Sequence, residues 1–465
     1  MAAFRLTQQM PRCRLTLFEA SARLGGVLDT RREDDRLIER GADSFMTKLP
    51  HALDLCRELG LEDQLLPTNE LHRRALVVRS GKLHHVPEGF VLMRAARLAP
   101  ILRSGILSWR GKLRLMLEPW MPVPEAASRP DFDESVADFA TRRLGRETLQ
   151  RLVQPLLAGI YTADPALLSL AATMPEFLEA QREHRSLAQA MRAGFFDSDQ
   201  SGQQAEERSS GARYGAFVTL SDGVGSLVQA LADRLQSIER HLGCQIDSIS
   251  PATAGGWDVE PAEGRRHGPF DGLIVATPAP QAARLLNVVD SQLVKLLETI
   301  PCSSSSVVSL VYPRSRIDHP LDGFGLVVPE IERRQILAAS FSSVKFPGRA
   351  TADEVLIRVF FGGALHPELA ELPDDRLLQL AQMELSQLVG ARGEPLLVDI
   401  ARWQSRMPQY LVGHLKRVEA IENRLQDLPG LELAGNSYRG VGLPQCIRSG
   451  QEAAERLLQR IATAS

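Results

Sequence analysis

Near the C-terminus runs Gly435-Asn-Ser-Tyr-Arg-Gly440-Val-Gly442-Leu-Pro-Gln-Cys-Ile-Arg-Ser-Gly450, between an apolar strand, Leu431 to Ala434, and a helical pattern from about Cys446 to Ile461. No other stretch restricts the fold as much. Glycine has no Cβ and tolerates positive φ, so a strand that turns through several glycines lets backbone N–H groups come close to a ligand. The helix that follows directs the positive end of its dipole at an electron-rich group. Alone, such a segment is an ordinary βα loop, and its meaning depends on what else the chain carries.

The front of the chain carries a second turn of the same kind. Glu19 ends a short strand from Arg14, and Ser21-Ala-Arg23-Leu-Gly25-Gly26 follows, then strand-like Val27 to Thr30. In a dinucleotide-binding βαβ unit an acid about 20 residues beyond the glycine loop takes a ribose hydroxyl. By itself Glu19 reads as a solvated strand-end carboxylate, and a lone glycine pair reads as a plain loop. Together they read as a cofactor turn: Gly25 and Gly26 admit a diphosphate to backbone amides, and Arg23 adds charge. Counting back about 20 residues from Glu19 reaches Met1 or earlier. The chain as given therefore opens inside the helix that should follow the glycine loop, with neither a first strand nor a GxGxxG ahead of Glu19. The expectation is a start codon placed too far downstream or a shortened gene; a chain shortened in fact would hold its cofactor and its fold weakly. Reading the upstream DNA in frame tests it.

At 465 residues the chain exceeds one ordinary core. Helical spacing dominates from Pro50 to about Arg192, and the polar run 197–211 reads as a flexible surface loop. Strand and helix then alternate (helix Gly225 to Ile238, strand Gln245 to Ser250), before a β-rich stretch with runs Ser305 to Tyr312 and Val355 to Phe361. A net charge of -3 argues against a nucleic-acid partner. Five scattered cysteines without a CxxC pair read as a reduced, intracellular protein with no zinc site, and His84 and His85 read as surface residues, so no metal is expected. Met1 to Gln9 has no signal-peptide character. The longest apolar candidate, Phe90 to Leu117, is broken by Arg94, Arg97, Arg103, Arg110, Lys112 and Arg114, so no span is expected.

The full C-terminal string resembles that of bacterial protoporphyrinogen and coproporphyrinogen III oxidases, within the flavin amine oxidase superfamily. Pro155 to Ser169 (PLLAGIYTADPALLS), Phe217 to Leu227, Val275 to Pro278, and Trp403 with Pro408-Gln-Tyr410 and Gly413-His414 are similar to further stretches of that family, over nearly the whole chain. The resemblance implies an α/β fold: a discontinuous Rossmann-like FAD-binding domain (1–72, 212–290, 400–465), a β-rich substrate domain (73–90, 291–399) and an inserted helical domain (91–211). It implies FAD, with Glu19 at the ribose, Arg23, Gly25 and Gly26 on the diphosphate side, and the Ile246 backbone at the adenine. Gly41, Ala42, Asp43 and Ser44 would form the loop near the flavin, Trp403 would pack close by, and Asn436, Val441 and Gly442 would line it.

The implied activity is oxidation of a porphyrinogen by O2 in haem biosynthesis, in three two-electron steps that yield H2O2. The cofactor carries that chemistry, so no catalytic side chain is expected. Arg74 matches a propionate-pairing arginine, with a solvated cation beside Arg73 as the rival reading. Gly159, Phe324 and Leu326 stand where the family places substrate-facing residues, with core packing the rival role for Phe324. Basic and apolar residues mixed from Phe90 to Trp120, with Trp109 and Trp120, fit either a peripheral contact with an anionic membrane from the cytoplasm or a solvated helix pair. Two other functions stay open: a remnant that no longer holds FAD, and another oxidoreductase of the same superfamily. Which porphyrinogen is preferred, and whether the protein forms a homodimer, are left to measurement.

Overall fold

The computed structural model describes residues 1–196 and 216–464; the loop expected over 197–211 lies outside them. Two parallel strand pairs make the nucleotide-binding type of scaffold. Thr16–Glu19, short and rich in β-formers, pairs in parallel with Glu239–Leu242, from Thr16 opposite Glu239 to Glu19 opposite Leu242. Leu431–Leu433, buried throughout, pairs in parallel with Leu273–Val275. Each of the latter two strands runs into a helix, Leu443–Ala464 and Ala279–Leu285 respectively, which is the βα order that parallel pairing requires. Among the described strands none joins the two pairs. Chain beginning and end meet all the same, because helix Ala2–Gln9 buries Phe4 in one cluster with Ile447 of the tail helix.

The second layer is a seven-stranded sheet in the order Leu397–Pro408, Cys302–Pro313, Glu354–Gly362, Ala338–Phe341, Gly325–Val327, Leu76–Arg79, Lys82–His85. Side chains alternate across it. Val308, Leu310, Tyr312 and Leu326 pack with helix Asp374–Val389, whereas Ala75, Val77, Val327 and Ala338 join the core of the helical region. No helix among the described residues is long and apolar enough to cross a membrane.

Three local expectations need correction. Residues 90–95 form a hairpin, Phe90–Val91 against Arg94–Ala95 with Leu92 at φ 56, and the next helix begins only at Leu98. A short apolar run carries no period that separates strand from helix. A strand at Leu65–Pro67 also interrupts the stretch from Pro50, while the strand expected over Ala75 to Arg79 is seen at Leu76–Arg79, paired with Lys82–His85. The tail helix starts at Leu443 rather than Cys446, since Pro444 in the first turn forfeits an N–H that had no intrahelical partner anyway.

Candidate cofactor and substrate site

The front turn is shaped by its glycines. Gly25 sits at φ 106, and a Cβ there would lie 2.8 Å from the Leu28 carbonyl oxygen and 2.9 Å from Val228 Cγ2. Gly26, at φ 56, faces open space with nothing within 4 Å of such an atom. Arg23 donates to the carbonyls of Leu24 and Leu28 (3.2 Å each) and Gly26 (2.6 Å) and pairs with Asp29 at 3.1 Å. Its guanidinium thus wraps the turn from within. Glu19 accepts the Ser21 N–H at 2.8 Å, while its carbonyl takes the Cys244 N–H at 2.9 Å, which brings Ile246 alongside. The Ile246 carbonyl itself accepts from Arg284 at 3.2 Å.

Gly41 and Ala42 press directly on this turn. Ala42 N–H donates to the Val27 carbonyl at 3.2 Å, and a Cβ at Gly41 would fall 2.0 Å from that oxygen and 3.2 Å from the Trp403 ring. Trp403 Nε1 donates to the Arg40 carbonyl at 2.8 Å. Two cations from the seven-stranded sheet region grip the same loop. Lys345 Nζ lies 3.0 Å from both Asp43 carboxylate oxygens and 3.1 Å from Ser44 Oγ, and Arg358 bonds the Gly41 carbonyl and approaches Asp43 at 3.4 Å. Burial opposes ionisation of Asp43, yet Lys345, Arg358 and the Ser44 hydroxyl hold its carboxyl well below the usual carboxylate range.

At the tail, Asn436 Nδ2 donates to the Arg406 carbonyl at 3.1 Å, and Val441 packs against the helical core. Gly442 opens the helix, its carbonyl accepting from Cys446 at 3.0 Å. Arg406 stands three residues from Trp403 on strand Leu397–Pro408, about 10 Å along an extended chain. One strand end therefore touches both the Gly41 loop and the tail turn. The buried Thr277 Oγ1, just beyond Leu273–Val275, has no partner among the described residues. Open space at Gly26 and at Gly435 (φ 119), two glycine turns and an orphaned hydroxyl fit an elongated dinucleotide.

On the substrate side, Arg74 is exposed and its guanidinium has no ion-pair or hydrogen-bond partner among the described residues. Its carbonyl accepts the Phe324 N–H at 2.9 Å, and Phe324 is buried. Gly159 is exposed on helix Gln154–Tyr161, and a Cβ there would approach Val327 Cγ1 at 3.8 Å. Leu326 is a correction: it points into the core beneath helix Asp374–Val389, and its neighbour Val327 faces Gly159. A one-residue step along a strand reverses the face. Lys345 and Arg358 were not expected at all. The one available signal was an arginine inside the apolar run Val355 to Phe361, since a buried charge needs a partner.

Two parallel strand pairs feeding glycine turns, with a loop and a sheet closing over them, define a dinucleotide-dependent oxidoreductase of the two-layer flavoprotein kind. The chain belongs to the flavin-containing amine oxidoreductase family, whose model matches residues 1–458. It is 31% identical to the coproporphyrinogen III oxidase of Bacillus subtilis (strain 168), over 94% of this chain and 90% of that protein. It is 33% identical to the coproporphyrinogen III oxidase of Propionibacterium freudenreichii subsp. freudenreichii, over 96% of this chain and 86% of that one. The crystal structure of a provisionally named protoporphyrinogen oxidase from Exiguobacterium sp. 255-15 superposes with a TM-score of 0.85 at 28% identity, covering 98% of this chain and 95% of that one. FAD is the cofactor of this fold and family.

Proposed function

We propose that this protein is an FAD-dependent porphyrinogen oxidase of haem biosynthesis, acting on coproporphyrinogen III or protoporphyrinogen IX with O2 as acceptor. The observation that carries the reading is the meeting of the front turn, the Gly41–Ser44 loop and the tail turn at one strand end, in a chain of this family. FAD, when bound, would supply the two-electron redox chemistry of the reaction, with O2 as the final acceptor.

The chain's own residues bind and orient. Glu19 and the Ile246 backbone serve the adenosine end. Gly25 and Gly26 admit the diphosphate, with Arg23 holding their turn in shape. Gly41 to Ser44, Trp403, Asn436, Val441 and Gly442 surround the ring system. Gly159 and Val327 border an apolar slot for the macrocycle, and Arg74, whose guanidinium has no partner among the described residues, offers two parallel hydrogen bonds to a propionate. The domain division given above follows from the same reading. Conversion of either porphyrinogen to a fluorescent porphyrin by the purified protein, with both assayed side by side, tests the function and ranks the two substrates; no fluorescence from either refutes it.

We also infer a peripheral, cytoplasmic-face membrane contact. Trp109 and Trp120 are 70% and 74% exposed, with Leu98, Leu102 and Leu113 exposed close by in the chain and Arg97, Arg103, Arg110 and Lys112 interleaved. Apolar side chains beside cations suit an anionic lipid surface. Co-sedimentation with phosphatidylglycerol vesicles, weakened by W109S/W120S, is the expected result; equal recovery with neutral phosphatidylcholine vesicles contradicts it.

A further inference from the structure

We infer that Tyr410 is a positioning residue that presets the tail glycine turn for the cofactor, with His414 as its backing; this rests on the flavin reading above. The Tyr410 hydroxyl donates to the Asn436 carbonyl at 2.5 Å and accepts the Gly440 N–H at 2.8 Å. One oxygen thereby closes the loop from residue 436 to 440. Without it, the Asn436 carbonyl and the Gly440 N–H lose the partner that ties them together. Gly440 needs this restraint because it sits at φ 130, where glycine pays the largest loss of backbone freedom.

The latch is itself held from three sides. The Tyr410 ring lies on the His414 imidazole with centroids 3.8 Å apart and planes at 14°. His414 Nε2 is 2.7 Å from the Tyr438 carbonyl, so Nε2 carries the hydrogen and donates within the same tail loop. The Tyr410 carbonyl accepts the Ser169 N–H at 2.7 Å, and Asp133 accepts from both Ser169 Oγ and the Gly413 N–H at 2.7 Å. The turn that carries Tyr410 is thus stapled to the helical region at Ser169, the N-cap of helix Leu170–Thr173. Through one side chain, the helical region and the tail turn share a fixed geometry. Tyr410 is 2% exposed, so water does not replace the hydroxyl.

Tyr410→Phe removes the oxygen and keeps the ring on His414. Hydrogen exchange of the apoprotein, read by mass spectrometry on the peptide spanning Asn436 to Gly442, is expected to speed up about tenfold in the variant, the factor set by loss of a buried hydrogen bond. The FAD dissociation constant is expected to rise about tenfold as well, with a shifted flavin absorbance band and a melting temperature close to wild type. Exchange and flavin spectrum both unchanged in the variant overturn the inference. So does rapid exchange of this peptide in the wild-type apoprotein, which decides the matter even where the variant fails to fold. A wild-type protein that refuses FAD while the exchange difference stands sinks the flavin reading and leaves the latch.

Discussion

The front turn and the tail turn use the same glycine chemistry and are secured in different ways. At the front, Arg23 satisfies carbonyls of its own turn, Gly26 opens on empty space, and strand Thr16–Glu19 has one hydrogen-bonded neighbour among the described strands. At the tail, Tyr410, His414 and Ser449, remote in sequence or in the next helix, hold the backbone of Gly435 to Gly440. The Gly41 loop resembles the tail in this, being gripped by Lys345 and Arg358 from some 300 residues away. A turn held largely by its own side chain, with few bonds to other segments, can loosen locally. A turn held by distant segments loosens only when they do, so damage at the ring end spreads and damage at the adenosine end stays local.

The largest effect that sharpens this contrast is expected for Arg358→Met. It strands the Gly41 carbonyl and leaves Asp43 with Lys345 as its one cation among the described residues, in a strand that is almost wholly buried. Loss of one partner from a buried charge network costs about 3–5 kcal/mol, read as a fall in denaturant midpoint. A fall as small as that of Arg23→Met would erase the distinction between the two ends.

Acid should act next, through His414. Burial pushes its imidazole down to about 4, below the ordinary 6.5. The unfolded chain binds the proton more readily than the fold, so stability is full above about pH 6.5 and drains away as pH falls to about 4, by up to about 3 kcal/mol. His414→Gln should flatten that segment of the stability–pH curve. A curve of the same slope would assign the acid sensitivity to other groups.

Smaller costs are expected at the front. Gly25→Ala meets backbone and Val228 at a positive φ and should lose about 1–3 kcal/mol of stability, whereas Gly26→Ala has room and should lose about 1 kcal/mol. Equal losses would mean that the turn relaxes freely. Smallest in stability terms is Arg74→Ala, which should leave the melting temperature alone and raise the substrate KM about tenfold with kcat nearly constant, as loss of a uniform binding contact does. An unchanged KM removes Arg74 from the site.

What the sequence revealed follows the same division. The tail turn was legible because apolar strand, glycine run and amphipathic helix are local patterns, and only the helix start moved, for Pro444 looks like a breaker and is a first-turn residue. The front turn was legible for the same reason. The grip on each was not. Nothing within a few residues of Lys345 or Arg358 says that Asp43 will meet them, because pairing across sheets is set by topology and leaves no period in the chain. Leu326 and Val327 show the limit at its finest: a β-rich stretch was recognisable around them, but the face each residue takes depends on a register that only the neighbouring strands decide.

The most direct test of the account is FAD titration of the purified protein, followed by flavin absorbance and fluorescence. One FAD per chain is expected, with a structured visible band, quenched emission, and affinity lost on W403A or Y410F more than on R23M. A colourless protein that leaves the spectrum of added FAD unaltered would contradict the claim that the two glycine turns hold one cofactor.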